Sequence, residues 1–218
     1  MRKILLMLAF FATILSADIV QNQKVKRAIN VLNDFIIENK DQNLLKDASA
    51  IAIFTDLTKG GAGVSVINGK GIFVAKNDDG QISSPFFVDF SGIELGAALG
   101  LSSVDLIIVY KNSRSYHKIF ENNYRISLST QATMINNASG GAITTNAPEF
   151  FAYARESSNS RGIYLGVGIQ ISHMGINRQD TIDYYDRIYD YEDIYNNSPK
   201  ASKYTKKLQE LARQSFKG

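Results

Sequence analysis

The side chains in this sequence best suited to chemistry are cations. Lys24, Lys26 and Arg27 crowd one amphipathic segment near the start, Lys203, Lys206 and Lys207 lie on another near the end, and Lys59 and Lys70 bracket a glycine-rich stretch between them. Ammonium and guanidinium groups carried by an amphipathic helix can meet an anionic surface, each contributing on the order of 1 kcal/mol close to a membrane. The pattern alone fits two readings. One is a core-packed helix whose lysines are merely solvated; the other is a helix that carries its cations to an anionic partner.

The groups an enzyme needs do not assemble. His117 and His173 are the two histidines, far apart and without a ligand partner one helical turn away, so no zinc site is expected. The chain has no cysteine, which removes thiol nucleophiles, a disulfide framework and a lipid-acceptor cysteine, and it has no G-x-S-x-G elbow. Gly60, Gly61, Gly63, Gly69 and Gly71 invite a phosphate-loop reading, but such a loop hands over to a helix and here a strand follows. Asp180, Asp183, Asp186, Asp190, Glu192 and Asp193 concentrate six carboxylates in fourteen residues. They lack the glycine-centred spacing of an EF-hand, so calcium is the lesser reading. The segment reads instead as a solvated strap whose tyrosine rings cover a sheet while their hydroxyls stay wet. No metal or cofactor is expected, and the chain is read as non-enzymatic.

The elements that must carry these residues begin with an export signal. Arg2 and Lys3 precede an apolar run from Ile4 to Leu15, followed by the small residues Ser16 and Ala17, which predicts a signal peptide over 1–17 and cleavage after Ala17. The expected location is periplasmic or secreted, with the protein free or peripheral on a membrane. The whole chain has 24 basic and 21 acidic residues; without Arg2 and Lys3 the balance is 22 to 21. Neither that balance nor the compartment suits a nucleic-acid partner. Residues 18–218 are long enough for one unstapled core, and a single domain is expected.

Val25, Ala28, Ile29, Leu32, Phe35 and Ile36 recur at helical spacing, and Leu44, Leu45 and Ala48 suggest a second short helix. A first strand is expected over 50–54, and from Lys59 onward β-branched runs broken by glycines predict strands near 63–67, 71–76, 86–91, 94–101 and 104–110, with Asn68-Gly69 and Asp78-Asp79-Gly80 as tight turns. Short connections imply antiparallel pairing, and Gly92, Gly96 and Gly100 suggest bulges or sharp bending. A short helix capped by Ser113 is expected over 113–122, with Tyr116, Ile119 and Phe120 inward, followed by a long polar and small-residue stretch over 127–146 whose segment 137–141 reads as a loop. Strands near 149–155 and 162–174 flank a turn at 157–160. Pro199 is expected to open a last helix with Tyr204, Leu208, Leu211 and Ala212 as its apolar stripe. The predicted class is α+β: a strongly bent, barrel-like, mainly antiparallel sheet flanked by N-terminal and C-terminal amphipathic helices.

The order of these pieces resembles the SYLF family, a family of lipid-binding and actin-binding domains. The likeness runs through Ala50-Ile51-Ala52-Ile53-Phe54, Lys59-Gly60-Gly61-Ala62-Gly63, Gly69-Lys70-Gly71-Ile72-Phe73-Val74-Ala75, Ser83-Ser84-Pro85 and Asp105-Leu106-Ile107-Ile108-Val109. It continues through Ala154-Arg155, Gly162-Ile163-Tyr164-Leu165-Gly166-Val167 and Tyr184-Tyr185. The chain departs from the family pattern at Ile82, where tryptophan is usual, and at Asp186, where glycine usually follows the tyrosine pair. The resemblance implies binding of anionic phospholipid or phosphoinositide-type head groups. Lys24, Lys26, Arg27, Lys59, Lys70, Lys203, Lys206 and Lys207 are the candidate contacts. An envelope structural or protein-interaction module, with an envelope protein as partner, is the alternative, and an exported protein is not expected to meet actin.

Overall fold

A computed structural model describes the backbone at residues 2–40, 44–120, 126–128, 133–137, 140–144, 150–157, 171–197, 199 and 202–217. Side chains are described at all of these except 2–18, 62–63, 94–101, 126–128, 133–137, 140–144, 156 and 171. The chain opens with α1 (Arg2–Glu38), and the long strands β1 (Ala50–Ala75) and β2 (Phe86–Tyr110) follow. The short strands are β3 (Ile126–Leu128), β4 (Thr133–Asn137), β5 (Gly140–Thr144), β6 (Phe150–Glu156) and β7 (Ile171–Ile176). The helices α2 (Arg178–Tyr185) and α3 (Lys203–Ser215) complete the chain.

The seven strands form one sheet in the order β3-β7-β2-β6-β5-β4, with β1 along the other edge of β2. Every described pairing is antiparallel, and these pairings leave the sheet open instead of closing it into a barrel. The α+β class, the antiparallel sheet and the flanking helices are therefore as the sequence implies. Strand β2 organises the sheet. Its first half pairs with β7 and its second half with β6, while β1 follows it from Phe86 to Tyr110.

The strands predicted as separate pieces between 63 and 110 are the two long strands, and Asn68-Gly69 is an interior stretch of β1, not a hairpin turn. Bending replaces turning. Register shifts lie between Phe54 and Leu57, where Asp56 takes a left-handed φ of 56°, and between Ala62 and Val64. These bulges fold β1 over on itself, so that its later half lies against its earlier half. A Cβ on Gly71 would stand 2.4 Å from Phe54 Cδ1 and 2.6 Å from the Ile53 carbonyl oxygen. Only a residue without a side chain permits that approach. The Asp78-Asp79-Gly80 turn forms as expected: Gly80 has φ 75°, and the Asn77 side chain accepts from the Asp79 and Gln81 amides at 3.1 and 2.8 Å.

The fold of the ribbon encloses an aromatic core. Phe73 contacts Phe86, Tyr110, Tyr116 and Phe120 with ring centroids 5.2 to 6.2 Å apart. Val25, Ala28, Ile29, Leu32 and Phe35 bury the inner face of α1, and Leu208 and Ala212 that of α3, as their spacing requires. Some expected elements differ. Residues 44–47 are turns rather than a helix, although Leu45 and Ala48 are buried as predicted. Residues 113–120 form two short 3-10 turns capped by Asn112, not Ser113, with Tyr116, Ile119 and Phe120 inward. Of the loop expected at 137–141, Asn137 ends β4 and Gly140 and Gly141 open β5, while 138–139 lie outside the described residues; α3 starts after the Ser202 cap, later than Pro199. Of the strand expected over 162–174, residues 162–170 lie outside the described residues, as does the turn at 158–160.

Candidate functional site

The site grows from α2, which the sequence reading took for part of a solvated strap. Asn177 caps this helix, its side-chain oxygen accepting from the Asp180 amide at 2.8 Å, while its Nδ2 donates to Asp89 on β2 at 2.7 Å. That cap fixes the carboxylate of Asp180, which is 5% exposed, in the first turn of the helix. Three donors converge on it: Lys24 Nζ at 2.7 Å and Gln21 Nε2 at 3.2 Å from α1, and Lys70 Nζ at 3.2 Å from β1. Burial pushes the Asp180 carboxyl up, but the hydrogen bonds and charges of Lys24 and Lys70 outweigh it and hold the group below the usual aspartate range.

The tyrosine pair is dry, not wet. The Tyr184 hydroxyl bonds Ser202 and Thr205 at the start of α3, and the Tyr185 hydroxyl donates to the Pro85 carbonyl at 2.8 Å. Burial drives the Tyr185 hydroxyl pKa upward. Helix α2 therefore joins the two flanking helices, meeting α1 at Gln21 and Lys24 and α3 at Ser202 and Thr205. At their other ends, Phe35 and Ile36 of α1 and Asn39 just beyond it share a small pocket with Ser215 of α3. These contacts make α1 and α3 run in the same direction, side by side.

That direction places Lys24, Lys26 and Arg27, inside the longer α1, near the start of α3 with Lys203, Lys206 and Lys207, at one end of the stretch over which the two helices pair. Lys26, Arg27, Lys203, Lys206 and Lys207 are exposed there. Arg27 stands 3.9 Å from Asp56, a loose pair that leaves the guanidinium open to solvent, and Lys203 lies 5.0 Å from the ring of Tyr204. Lys24 and Lys70 are brought together by Asp180. Lys59 is only 5% exposed, so burial removes it from the surface contacts expected of it.

A second charged cluster holds the last turns of α1 to the sheet. Arg155 on β6 donates to Asp34 at 2.7 Å and Glu38 at 2.9 Å and lies 3.5 Å from Asp105 on β2; Tyr153 donates to Glu38 at 2.6 Å. Burial raises the Asp105 carboxyl, against the lowering effect of the Asp56 amide and Arg155. Among the described residues, no cluster of histidine and acid side chains has the arrangement of a metal site. Sequence reading missed Asp180 as an acceptor and Gln21 as a donor. Asn177 three residues before Asp180 was the available signal, since that spacing marks a helix cap.

The described fold is an antiparallel sheet clasped by two helices that run in the same direction, with exposed cations at one end of the pair. The chain belongs to the Ysc84 family, described as "Las17-binding protein actin regulator", whose pattern matches residues 91–215. This is the family of SYLF domains that the sequence resembles. The SH3 domain-containing YSC84-like protein 1 of Pongo abelii is 25% identical over 192 residues, covering 81% of this chain and 54% of that protein. Its Homo sapiens counterpart is 24% identical over the same length, with the same coverage. An SH3 domain-containing protein of Schizosaccharomyces pombe is 29% identical over 145 residues, covering 63% of this chain and 32% of that protein. The chain thus spans about half the length of the mammalian relatives it matches. No solved structure matches it.

Proposed function

We propose that this chain is a non-enzymatic domain that docks on anionic membrane surfaces, in the periplasm or outside the cell, through the cationic end of the α1–α3 pair. One observation carries the reading: five exposed cations from two helices distant in sequence, Lys26, Arg27, Lys203, Lys206 and Lys207, share one end of that pair. Cations so arranged meet head groups together, and their small individual contributions add. Lys24 and Lys70 border this face and join the site. The domain is proposed to comprise residues 18–218 after cleavage behind Ala17. Flotation on phosphatidylcholine vesicles with and without phosphatidylglycerol tests it. Enrichment that depends on the anionic lipid and fades with added salt is expected, and equal recovery on both vesicle types contradicts it.

Binding to a protein partner is the second reading, favoured by the family's description as an actin regulator that binds Las17. That description also removes support from the expectation, drawn chiefly from compartment, that actin is not a partner. Co-sedimentation of the purified chain with actin filaments tests it: recovery in the pellet only when filaments are present is expected, and recovery unchanged by filaments contradicts it.

A further inference from the structure

We infer that Asp180 is an internal stand-in for a lipid phosphate, a latch that occupies Lys70 in the resting fold and yields it to a phosphodiester head group on docking. The inference rests on the membrane-docking reading and assigns a regulator to that site. Its geometry is that of an anion receptor already filled: two ammonium groups and one amide from two separate elements point at a single carboxylate. The three donors are not equivalent. Lys24 makes the short contact of 2.7 Å and its side chain is 29% exposed, whereas Lys70 stands at 3.2 Å and is 52% exposed.

Lys70 is therefore the member that can turn outward. Its departure opens no core, because it is exposed already, and Asp180 keeps the ammonium of Lys24 and the amide of Gln21. The carboxylate itself cannot follow. Asn177 binds the Asp180 amide, and Asp89, the cross-strand partner of Lys70, accepts from Asn177. The acid is thus fixed while one of its cations is free to exchange, which is the asymmetry a latch requires. While closed, the latch hides one positive charge beside the docking face.

The test is vesicle binding by the full chain carrying Asp180→Asn, Asp183→Asn, Lys70→Gln, or Asp180→Asn with Lys70→Gln. Asp183 lies on the same helix and bonds Gln179 instead of a lysine, so Asp183→Asn makes the same charge change without touching the latch. The latch predicts that Asp180→Asn tightens binding to phosphatidylglycerol vesicles about fivefold, the worth of one added cation. Asp183→Asn should change it less than twofold, and the gain from Asp180→Asn should vanish in the Lys70→Gln background. Equal gains from the two aspartate variants, or a gain that survives without Lys70, overturn the latch. Binding by the wild type with no gain in Asp180→Asn overturns the latch alone, whereas no binding by any form overturns the docking reading with it. Release of bound protein by inorganic phosphate, at matched phosphorus concentration and beyond the release by chloride at equal ionic strength, would assign the exchange to free phosphate and overturn the membrane assignment. If Asp180→Asn does not fold, the wild type carries the test. Its Asp180 carboxyl should titrate at higher pH on phosphatidylglycerol than on phosphatidylcholine nanodiscs, by more than Asp183 does, and equal displacement of the two overturns the latch.

Discussion

Arg155 donates to Glu38 at 2.9 Å across a sequence separation of 117 residues, so the last turn of α1 is fixed by a strand formed late in the chain. The same guanidinium lies 3.5 Å from Asp105, which is 5% exposed. Replacing Arg155 with Met leaves that carboxylate buried without its cation and is expected to cost on the order of 3 kcal/mol at pH 7. The sign of the pH dependence follows from burial, which already raises the Asp105 pKa. Losing Arg155 raises it further, the ionised form becomes the costly one, and acid relieves the cost. Urea midpoints should show a larger deficit for Arg155→Met at pH 7 than at pH 5, and equal deficits would contradict this role for Asp105.

Asp180 has the opposite sign. Its folded pKa lies below the ordinary value because Lys24 and Lys70 outweigh burial, so it stabilises the fold above the unfolded pKa of about 4 and loses that contribution as pH falls through the folded value. Asp180→Asn should lower stability at pH 7 by about 1–2 kcal/mol. That is less than a fully buried pair would lose, because both lysines reach solvent. The gap between wild type and variant should close below about pH 4. Denaturation at pH 7 and pH 3 measures it, and a gap that widened in acid would reverse the argument.

Gly71→Ala places a methyl group 2.4 Å from Phe54 and against the Ile53 carbonyl. The folded-over halves of β1 must then separate, at an expected cost of about 2 kcal/mol or more. Gly69→Ala should cost less, since its shortest contact, 2.5 Å, is to the end of the Leu57 side chain. Thermal melting of the two variants checks the order, and equal or reversed losses would argue against close approach of the two halves at Gly71.

Tyr184→Phe removes a hydroxyl that bonds Ser202 and Thr205 inside the protein, and about 1 kcal/mol of stability should go with it. A hydroxyl facing water would cost almost nothing to delete. An unchanged unfolding midpoint would restore the solvated strap that the sequence suggested.

The flanking helices were legible because a period of 3.6 declares its buried face: Val25, Ala28, Ile29, Leu32 and Phe35 are all buried as their spacing demands. The antiparallel class followed from β-branched runs and short connections. What misled was glycine. Asn68-Gly69 has the chemistry of a hairpin turn, and nothing local says whether such a pair turns a chain or lets two strand halves touch. The exposed cations of the site were legible as types and spacing, since helical lysines away from an apolar stripe face water. Asp180 was not, because its partners Lys24 and Lys70 lie 156 and 110 residues away. A run of carboxylates looks solvated until the fold supplies cations to one of them. Lys59 is buried too, which its place in a glycine-rich run does not announce.

The most direct test compares matched charge reversals at the two ends of the helix pair. Lys26→Glu with Arg27→Glu, and separately Lys206→Glu with Lys207→Glu, change the proposed docking end. Lys40→Glu with Lys46→Glu makes the same change in charge at the pocket end, where both residues are exposed. Vesicle binding at low salt should fall about tenfold or more for each of the first two pairs and less than twofold for the third. Equal losses from all three pairs, or the greatest loss from Lys40 and Lys46, would contradict docking through the Lys26 and Lys206 end.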